Sequence, residues 1–162
     1  MTSPRAAARY LLVLSLALGV LIGGAAPVAA TEAPQTELQR VIAIAMAQRG
    51  DRWVFAATGP NSFDCSGLVT YAFREAGLLD RIGGKRRTVL GFYRWFNARG
   101  LADRSNPKPG DLIVWGRFQH IGIYLGDGMA ISTILNPYGV KVHTVKWVPA
   151  RVRAYLHVQL ER

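Results

Sequence analysis

The hydrophobic periodicity of this chain changes once, at residues 107–110 (Pro-Lys-Pro-Gly). Before this segment apolar residues recur at helical spacing, and after it they form short β-branched or alternating runs. The pattern predicts helices at about 36–50, 65–76 and 88–99, and strands at 112–115, 121–125, 129–134, 140–145 and 154–160. Helices followed by an antiparallel meander of about five strands indicate an α+β fold.

Length and cysteine content limit the classes of protein that fit. A chain of 162 residues, half of them hydrophobic, suits one domain. Its single cysteine excludes an intramolecular disulfide framework and any cysteine-rich zinc module. None of the three histidines has the HExxH spacing, so we predict no metal site. We also predict no other cofactor and a monomeric chain.

The first thirty residues have the features of a secretory signal peptide. Arg5 and Arg9 precede an apolar run at 11–22, and Val28-Ala29-Ala30 offers a cleavage site of small residues. A helix of that run would rise about 18 Å, short of the roughly 30 Å of a bilayer core, which disfavours the alternative of a membrane anchor. We therefore predict a signal peptide at 1–30 and one exported domain at 31–162, located in the cell wall, the periplasm or the medium and free of the membrane.

The balance of charge is strongly basic, with 20 Lys and Arg against 10 Asp and Glu. Loss of Arg5 and Arg9 with the signal peptide leaves a net charge of +8. Such a surface attracts anionic partners, of which cell-wall polymers suit an exported protein. The basic segment 85–87 precedes aromatic residues at 92–96, a pattern also compatible with stacking on nucleobases. We favour solvated charges and a packed helix face, and hence no nucleic-acid partner.

Cys65 is the candidate nucleophile. It begins a predicted helix directly after Asp64, a good N-cap residue. The positive end of the helix dipole and the free N–H groups there favour a thiolate, which is the reactive form of cysteine. The alternative is a buried, inert core cysteine.

Three histidines are candidates for the base that a thiol nucleophile requires. His120 opens a predicted strand just after a loop, from which its side chain can reach a cleft. His143 lies in mid-strand on the face expected to carry Lys141, which predicts a solvated position. His157, near the C-terminus, is expected to be structural. Position alone therefore favours His120.

Three segments of the chain resemble one family. They are ATGPNSFDCSGLV at 57–69, PGDL at 109–112 and HIGIYLGDG at 120–128. In this order and spacing they resemble the nucleophile segment, the turn that opens the sheet and the catalytic histidine strand of the NlpC-type (NlpC/p-sixty) cell-wall peptidases. The resemblance extends from about residue 41 to residue 160.

The resemblance implies a papain-like fold in which the nucleophile begins a helix packed on the sheet. It implies a cysteine endopeptidase that cuts peptidoglycan stem peptides, usually between D-glutamate and the diamino acid, through a thioester. By motif position Cys65 is the nucleophile and His120 its general base. Asp64 and Ser66 border the site that grips the amino-terminal part of the substrate, although both residue types also cap helices.

Two positions depart from the family. The third catalytic residue, usually His, Asn, Gln or an acid, falls on Ser132, whose hydroxyl orients an imidazole more weakly than a carboxylate does. A bridging water or His143 is an alternative orienting group. Trp53 stands where the family has a tyrosine that serves the oxyanion hole. Trp53 either donates its indole N–H to the oxyanion in place of the tyrosine or is simply a packed aromatic residue.

Two rival functions remain open on these residues. One is a catalytically weak or silent wall-binding module of the same fold, and the other is an amidase or acyltransferase using the same Cys–His pair. The retention of Cys65 and His120 favours the peptidase, whereas Ser132 favours the silent module.

Overall fold

Three α-helices precede the main β-sheet in the computed structural model, which describes residues 34–162. They are α1 (Glu37–Ala47), α2 (Cys65–Glu75) and α3 (Val89–Asn97), with 3-10 helices at Leu79–Ile82 and Val145–Trp147. All three predicted helices are confirmed. The predicted signal peptide lies outside the described residues. Within 34–162 no helix is long and apolar enough to cross a membrane.

Side-chain caps explain where the α-helices begin. Thr36, Asp64 and Thr88 precede α1, α2 and α3, and each side chain accepts a hydrogen bond from the backbone N–H three residues on. In α1 the Gln39 side chain also accepts from the Thr36 N–H, which completes the predicted capping box. Each cap satisfies an N–H that has no partner within its helix.

Eight strands form two sheets in the described part of the chain. They are β1 (Arg52–Trp53), β2 (Ser62–Phe63), β3 (Ala102–Asp103), β4 (Leu112–Trp115), β5 (His120–Gly126), β6 (Met129–Ile134), β7 (Gly139–Thr144) and β8 (Val152–Leu156). β1 and β2 pair in parallel, whereas the other six form one antiparallel sheet in the order β3-β8-β4-β5-β6-β7. The α+β prediction is confirmed, and the strand beyond the expected five is the two-residue β3, too short to give a periodic signal.

The last strand ends earlier than its apolar alternation predicts. β8 stops at Leu156, although Val158 and Leu160 are buried in the core. The Val158 N–H donates to the carboxylate of Asp111 at 3.1 Å rather than to a neighbouring strand. Alternation therefore continues past Leu156 because these side chains fill the core, while the backbone has already left the sheet.

The helices pack on one face of the sheet. Leu112 and Val114 of β4 belong to the main core with α2 and α3, whereas the alternate residues Ile113 and Trp115 belong to a smaller cluster on the opposite face. Helix α2 lies against β5 and β6. This packing brings the first turn of α2 to the strand that begins with His120.

The close approach of α2 to the preceding loop requires glycine at position 67. A Cβ there would collide with the backbone carbonyl oxygen of Ala57. We expect Gly67→Ala to lower the free energy of unfolding by about 1–3 kcal/mol, the usual cost of overpacking. Chemical denaturation followed by circular dichroism measures this difference.

Gly91→Ala is the matched control, because Gly91 is likewise the third residue of a helix and donates its N–H to the cap residue. An added Cβ there meets side-chain atoms of Arg87 and Thr88 only at 3.2 Å. The gain in helix propensity, about 1 kcal/mol, offsets that crowding. Equal destabilisation by the two substitutions would contradict the proposed requirement for glycine at position 67.

Candidate active site

One cleft of about 840 Å³ contains five of the six predicted site residues, which are Trp53, Asp64, Cys65, Ser66 and His120. The sixth, Ser132, is completely buried and forms a hydrogen bond with His120. The segments that resemble the family's nucleophile and histidine motifs therefore meet in space.

Cys65 is half-buried at the first position of α2. Burial raises the pKa of its thiol. Hydrogen bonding from the backbone N–H of Ile121 lowers this pKa, whereas the negative charge of Asp64 raises it. The net shift of the pKa is upward. The helix terminus favours a thiolate, but burial outweighs that contribution in the resting site. Cys65 therefore rests as a thiol.

His120 begins β5 at the edge of the cleft. Burial, with a smaller contribution from the nearby His143, lowers the pKa of His120 to about 4. The imidazole is therefore neutral at physiological pH and can accept a proton from a thiol. Both members of the candidate pair are uncharged at rest.

Ser132 lies 2.8 Å from His120, measured from Oγ to Nε2, as the sequence predicts. The register of the β5–β6 hairpin pairs Ile123 with Ile131, and this pairing places Gly122 beside Ser132. A Cβ on Gly122 would lie 2.8 Å from the Cβ of Ser132. A side chain at position 122 would therefore displace Ser132 or the backbone of Ile131.

His143 occupies a different environment from the one predicted. The register of β6 and β7 puts Lys141 opposite Ser132 and His143 opposite Ala130, so His143 does share a face with Lys141. That face is covered, and His143 is only 5% exposed. The Nε2 atom of His143 lies 2.8 Å from Ser132 Oγ. His143, one of the two groups considered as an alternative for orienting His120, is thus linked to His120 through the serine hydroxyl.

Asp64 and Ser66 serve the local structure and also line the cleft. Asp64 Oδ1 accepts from the Gly67 N–H at 2.6 Å and from the Ser66 hydroxyl at 2.8 Å. The capping role is therefore confirmed for Asp64, whereas Ser66 supports the cap by donating to it. Both residues line the wall of the cleft, although each is largely buried.

Arg86 is a site residue that the sequence analysis missed. Its guanidinium forms an ion pair with Asp64 Oδ2 and donates to the carbonyl oxygen of Ala56 at 3.0 Å. The prediction of solvated charges at 85–87 holds for the exposure of Arg86 but is wrong about its charge, which is paired with Asp64. It is also wrong for Arg87, which donates to the Gly83 carbonyl and packs over Trp95. The predicted packing of the α3 aromatic residues is confirmed by the buried rings of residues 92 and 96.

Aromatic and aliphatic side chains form the rest of the cleft wall. Trp53 is half-buried in this wall and lies outside the packed core. Four exposed hydrophobic residues line the same cleft, namely Phe55, Leu135, Tyr138 and Trp147. The cleft therefore combines a polar end at Asp64 with a wall that is mainly apolar.

His157 is structural, as predicted. Its two ring nitrogens lie 2.8 Å from a carboxylate oxygen of Asp111 and 3.0 Å from one of Asp103. Burial lowers the pKa of His157, but the hydrogen bonds with the two carboxylates raise it by more. This ion-pair cluster ties the C-terminal segment to β3 and to the start of β4.

A half-buried cysteine at a helix start, which lines one cleft with a histidine on an antiparallel sheet, places the protein in the papain-like α+β class. The model of the NlpC/P60 family matches residues 35–154. The chain therefore belongs to the NlpC/P60 family.

Two curated relatives illustrate the similarity in sequence. The probable endopeptidase p60 of Listeria monocytogenes is 32% identical over an alignment of 114 residues, and the match covers 66% of this chain and 21% of that protein. A probable endopeptidase of Mycobacterium tuberculosis is 30% identical over an alignment of 112 residues, and the match covers 65% of this chain and 25% of that protein. The aligned part thus spans a fifth to a quarter of the length of these relatives.

Two solved structures share the fold. The NlpC/p60 domain of the peptidoglycan hydrolase SagA is 27% identical, with a TM-score of 0.57 and coverage of 73% of this chain and 97% of that one. RipD of Mycobacterium tuberculosis, described as a non-catalytic NlpC/p60 domain protein adapted to peptidoglycan binding, is 25% identical, with a TM-score of 0.60. The match covers 78% of this chain and all of that one.

The resting thiol predicts an unusual pH dependence for the alkylation of Cys65. We expect the rate with iodoacetamide to rise continuously from neutral pH to beyond about 8.5, the ordinary thiol pKa, because burial raises the pKa of Cys65. Mass spectrometry of quenched samples measures the rate, with N-acetylcysteine as the control. A plateau below pH 7 would instead indicate a preformed thiolate–imidazolium pair, and labelling only after denaturation would make Cys65 a core residue.

Proposed function

We propose that this protein is a cysteine peptidase of peptidoglycan, with Cys65 as nucleophile and His120 as general base. The observation that carries the proposal is that both residues line one cleft, while buried Ser132 holds the far nitrogen of His120 at 2.8 Å. The substrate class is supported by the related probable endopeptidases and by the peptidoglycan hydrolase SagA.

In the proposed reaction His120 takes the thiol proton as Cys65 Sγ attacks the carbonyl carbon of an amide bond. The oxyanion accepts from the N–H of Cys65 at the start of α2, and the indole N–H of Trp53 is the second candidate donor. Collapse expels the amine with the proton from His120 and leaves a thioester. His120 then deprotonates a water molecule, whose attack releases the acid and returns the proton to the thiol.

The bond cut is, in this proposal, the one between D-glutamate and the diamino acid of the stem peptide. The polar end of the cleft, formed by Asp64, Ser66 and Arg86, would hold the amino-terminal part of that peptide. The fixed position of the Asp64 carboxylate supports this role, because a preorganised polar group orients a ligand at low entropic cost.

The proposal includes export and action in the cell wall or periplasm. Residues 1–30 would direct export and be removed, and the domain at 31–162 would act outside the membrane. Its net charge of +8 would then hold it near anionic wall polymers.

A silent wall-binding module is the second candidate, because RipD is described as a non-catalytic member of the same family. Cys65 and His120 argue for the peptidase, since a binding module has no need of a thiol beside a neutral imidazole. An amidase or acyltransferase would use the same pair on a different acyl group and is distinguished by its products.

We expect Cys65→Ala to abolish the release of stem-peptide fragments from sacculi while leaving binding to sacculi intact. Binding should weaken as salt is raised, because the basic surface is screened. Chromatography and mass spectrometry of the soluble products identify the bond cut, and a sedimentation assay measures binding. His157→Gln is the control, since His157 lies outside the cleft and should leave release unchanged.

Each rival function has its own outcome. If the unaltered protein binds sacculi but releases no fragments, the silent wall-binding module is favoured. Release of intact stem peptides would favour an amidase, and acyl transfer would favour an acyltransferase. Undiminished release by Cys65→Ala would mean that another group is the nucleophile.

A further inference from the structure

The backbone carbonyl of Thr144 fixes the protonation of His143. His143 Nδ1 lies 2.9 Å from this oxygen, which can only accept, so Nδ1 must carry a hydrogen. Burial lowers the pKa of His143. The hydrogen bond with Thr144 raises this pKa and the charge of Lys141 lowers it, and the net shift is downward. The ring is therefore neutral, and its Nε2 has a free lone pair.

The hydroxyl of Ser132 has only one proton and two imidazole neighbours. Its Oγ lies 2.8 Å from Nε2 of His143 and 2.8 Å from Nε2 of His120. Since His143 Nε2 can only accept, the serine must donate to it and accept from His120. His120 then carries its proton on Nε2, and its Nδ1 keeps a free lone pair.

We propose that His143 is a positioning residue for His120, acting through the hydroxyl of Ser132 to set the tautomer of the base. The hydrogen bonds run in one direction, from His120 to Ser132, from Ser132 to His143 and from His143 to the carbonyl of Thr144. The inference deepens the proposed function and rests on it for the role of His120 as base.

Packing around the two rings supports the arrangement. The indole of Trp115 lies against both of them, with ring centroids 5.3 Å from His120 and 6.0 Å from His143. Its own N–H donates to the carbonyl oxygen of Val145 at 3.1 Å, which holds the indole in place. The complete burial of Ser132 shields the hydroxyl from solvent, so the two imidazoles are its partners.

A lone serine would orient His120 poorly, because its hydroxyl rotates and can donate as readily as it accepts. His143 removes that freedom by offering a fixed acceptor. When His120 takes the thiol proton on Nδ1, its Nε2–H···Oγ bond becomes charge-assisted, and the polarised hydroxyl stabilises the imidazolium. This relay of hydrogen bonds, from His120 through Ser132 to His143, thus sets the tautomer of His120 and stabilises its positive charge.

Replacement of His143 by phenylalanine tests this inference. The variant keeps an aromatic ring but removes the acceptor, so the Ser132 hydroxyl is free to donate to His120 Nε2 and to move the proton of His120 to Nδ1. We expect kcat to fall about tenfold or more with KM unchanged, on the scale of one lost hydrogen bond. His143→Gln, whose side-chain oxygen can accept in place of Nε2, should stay within roughly threefold of the original kcat.

A double variant separates positioning from a general structural effect. If His143 acts only through Ser132, adding His143→Phe to Ser132→Ala should cause no further loss of kcat beyond the roughly tenfold loss expected for Ser132→Ala alone. Losses that multiply would overturn the inference, because His143 would then act independently of the serine. His157→Gln, outside the relay, should leave kcat unchanged.

Nitrogen-15 NMR of the histidine rings reads the tautomers without any turnover, and the chain has only three histidines to assign. In the unaltered full chain at neutral pH, His120 should be protonated on Nε2 and His143 on Nδ1. His143→Phe should shift the proton of His120 towards Nδ1, whereas His157→Gln should not.

The NMR measurement also separates this inference from the proposed function. A proton on Nδ1 of His120 in the unaltered protein would overturn the inference, whether or not His143→Phe folds. The expected tautomers in a protein that releases no fragment from sacculi would instead contradict the peptidase proposal alone.

Discussion

The candidate site depends on one close approach, that of the first turn of α2 to the loop before it and to the start of β5. Gly67 permits this approach, since any side chain there would collide with the carbonyl of Ala57. The N–H of Asp64 donates to the same carbonyl at 3.0 Å, and the Asp64 side chain caps the helix. The position of Cys65 is thus determined by backbone contacts that leave its thiol free for chemistry.

The features that the sequence predicted well are those with local causes. Capping residues, apolar spacing and turn glycines located the helices and most of the strands, because each such signal acts within a few residues. The positions of Cys65 and His120, as the first residues of a helix and of a strand, were predictable for the same reason.

The features that the sequence did not reveal depend on contacts between distant parts of the chain. Arg86 lies 22 residues from its partner Asp64, and no periodicity connects them. His143 was placed on the correct face of β7, but local alternation does not say that Trp115 and Trp147 pack against its ring there. Register and packing, rather than composition, convert an apparently solvated histidine into a buried one.

Charge neutrality at rest connects the unusual parts of the site. Burial raises the pKa of Cys65 and lowers that of His120, so a charged pair would be costly in this cleft. A carboxylate in place of Ser132 would add a fully buried charge beside two neutral rings, whereas a hydroxyl adds none. The hydroxyl of Ser132 needs a second group to fix the direction of its hydrogen bond. His143, held by the carbonyl of Thr144, provides that group. The departure from the family at position 132 and the burial of His143 are therefore two parts of one arrangement, in which charge forms only as the thiol reacts.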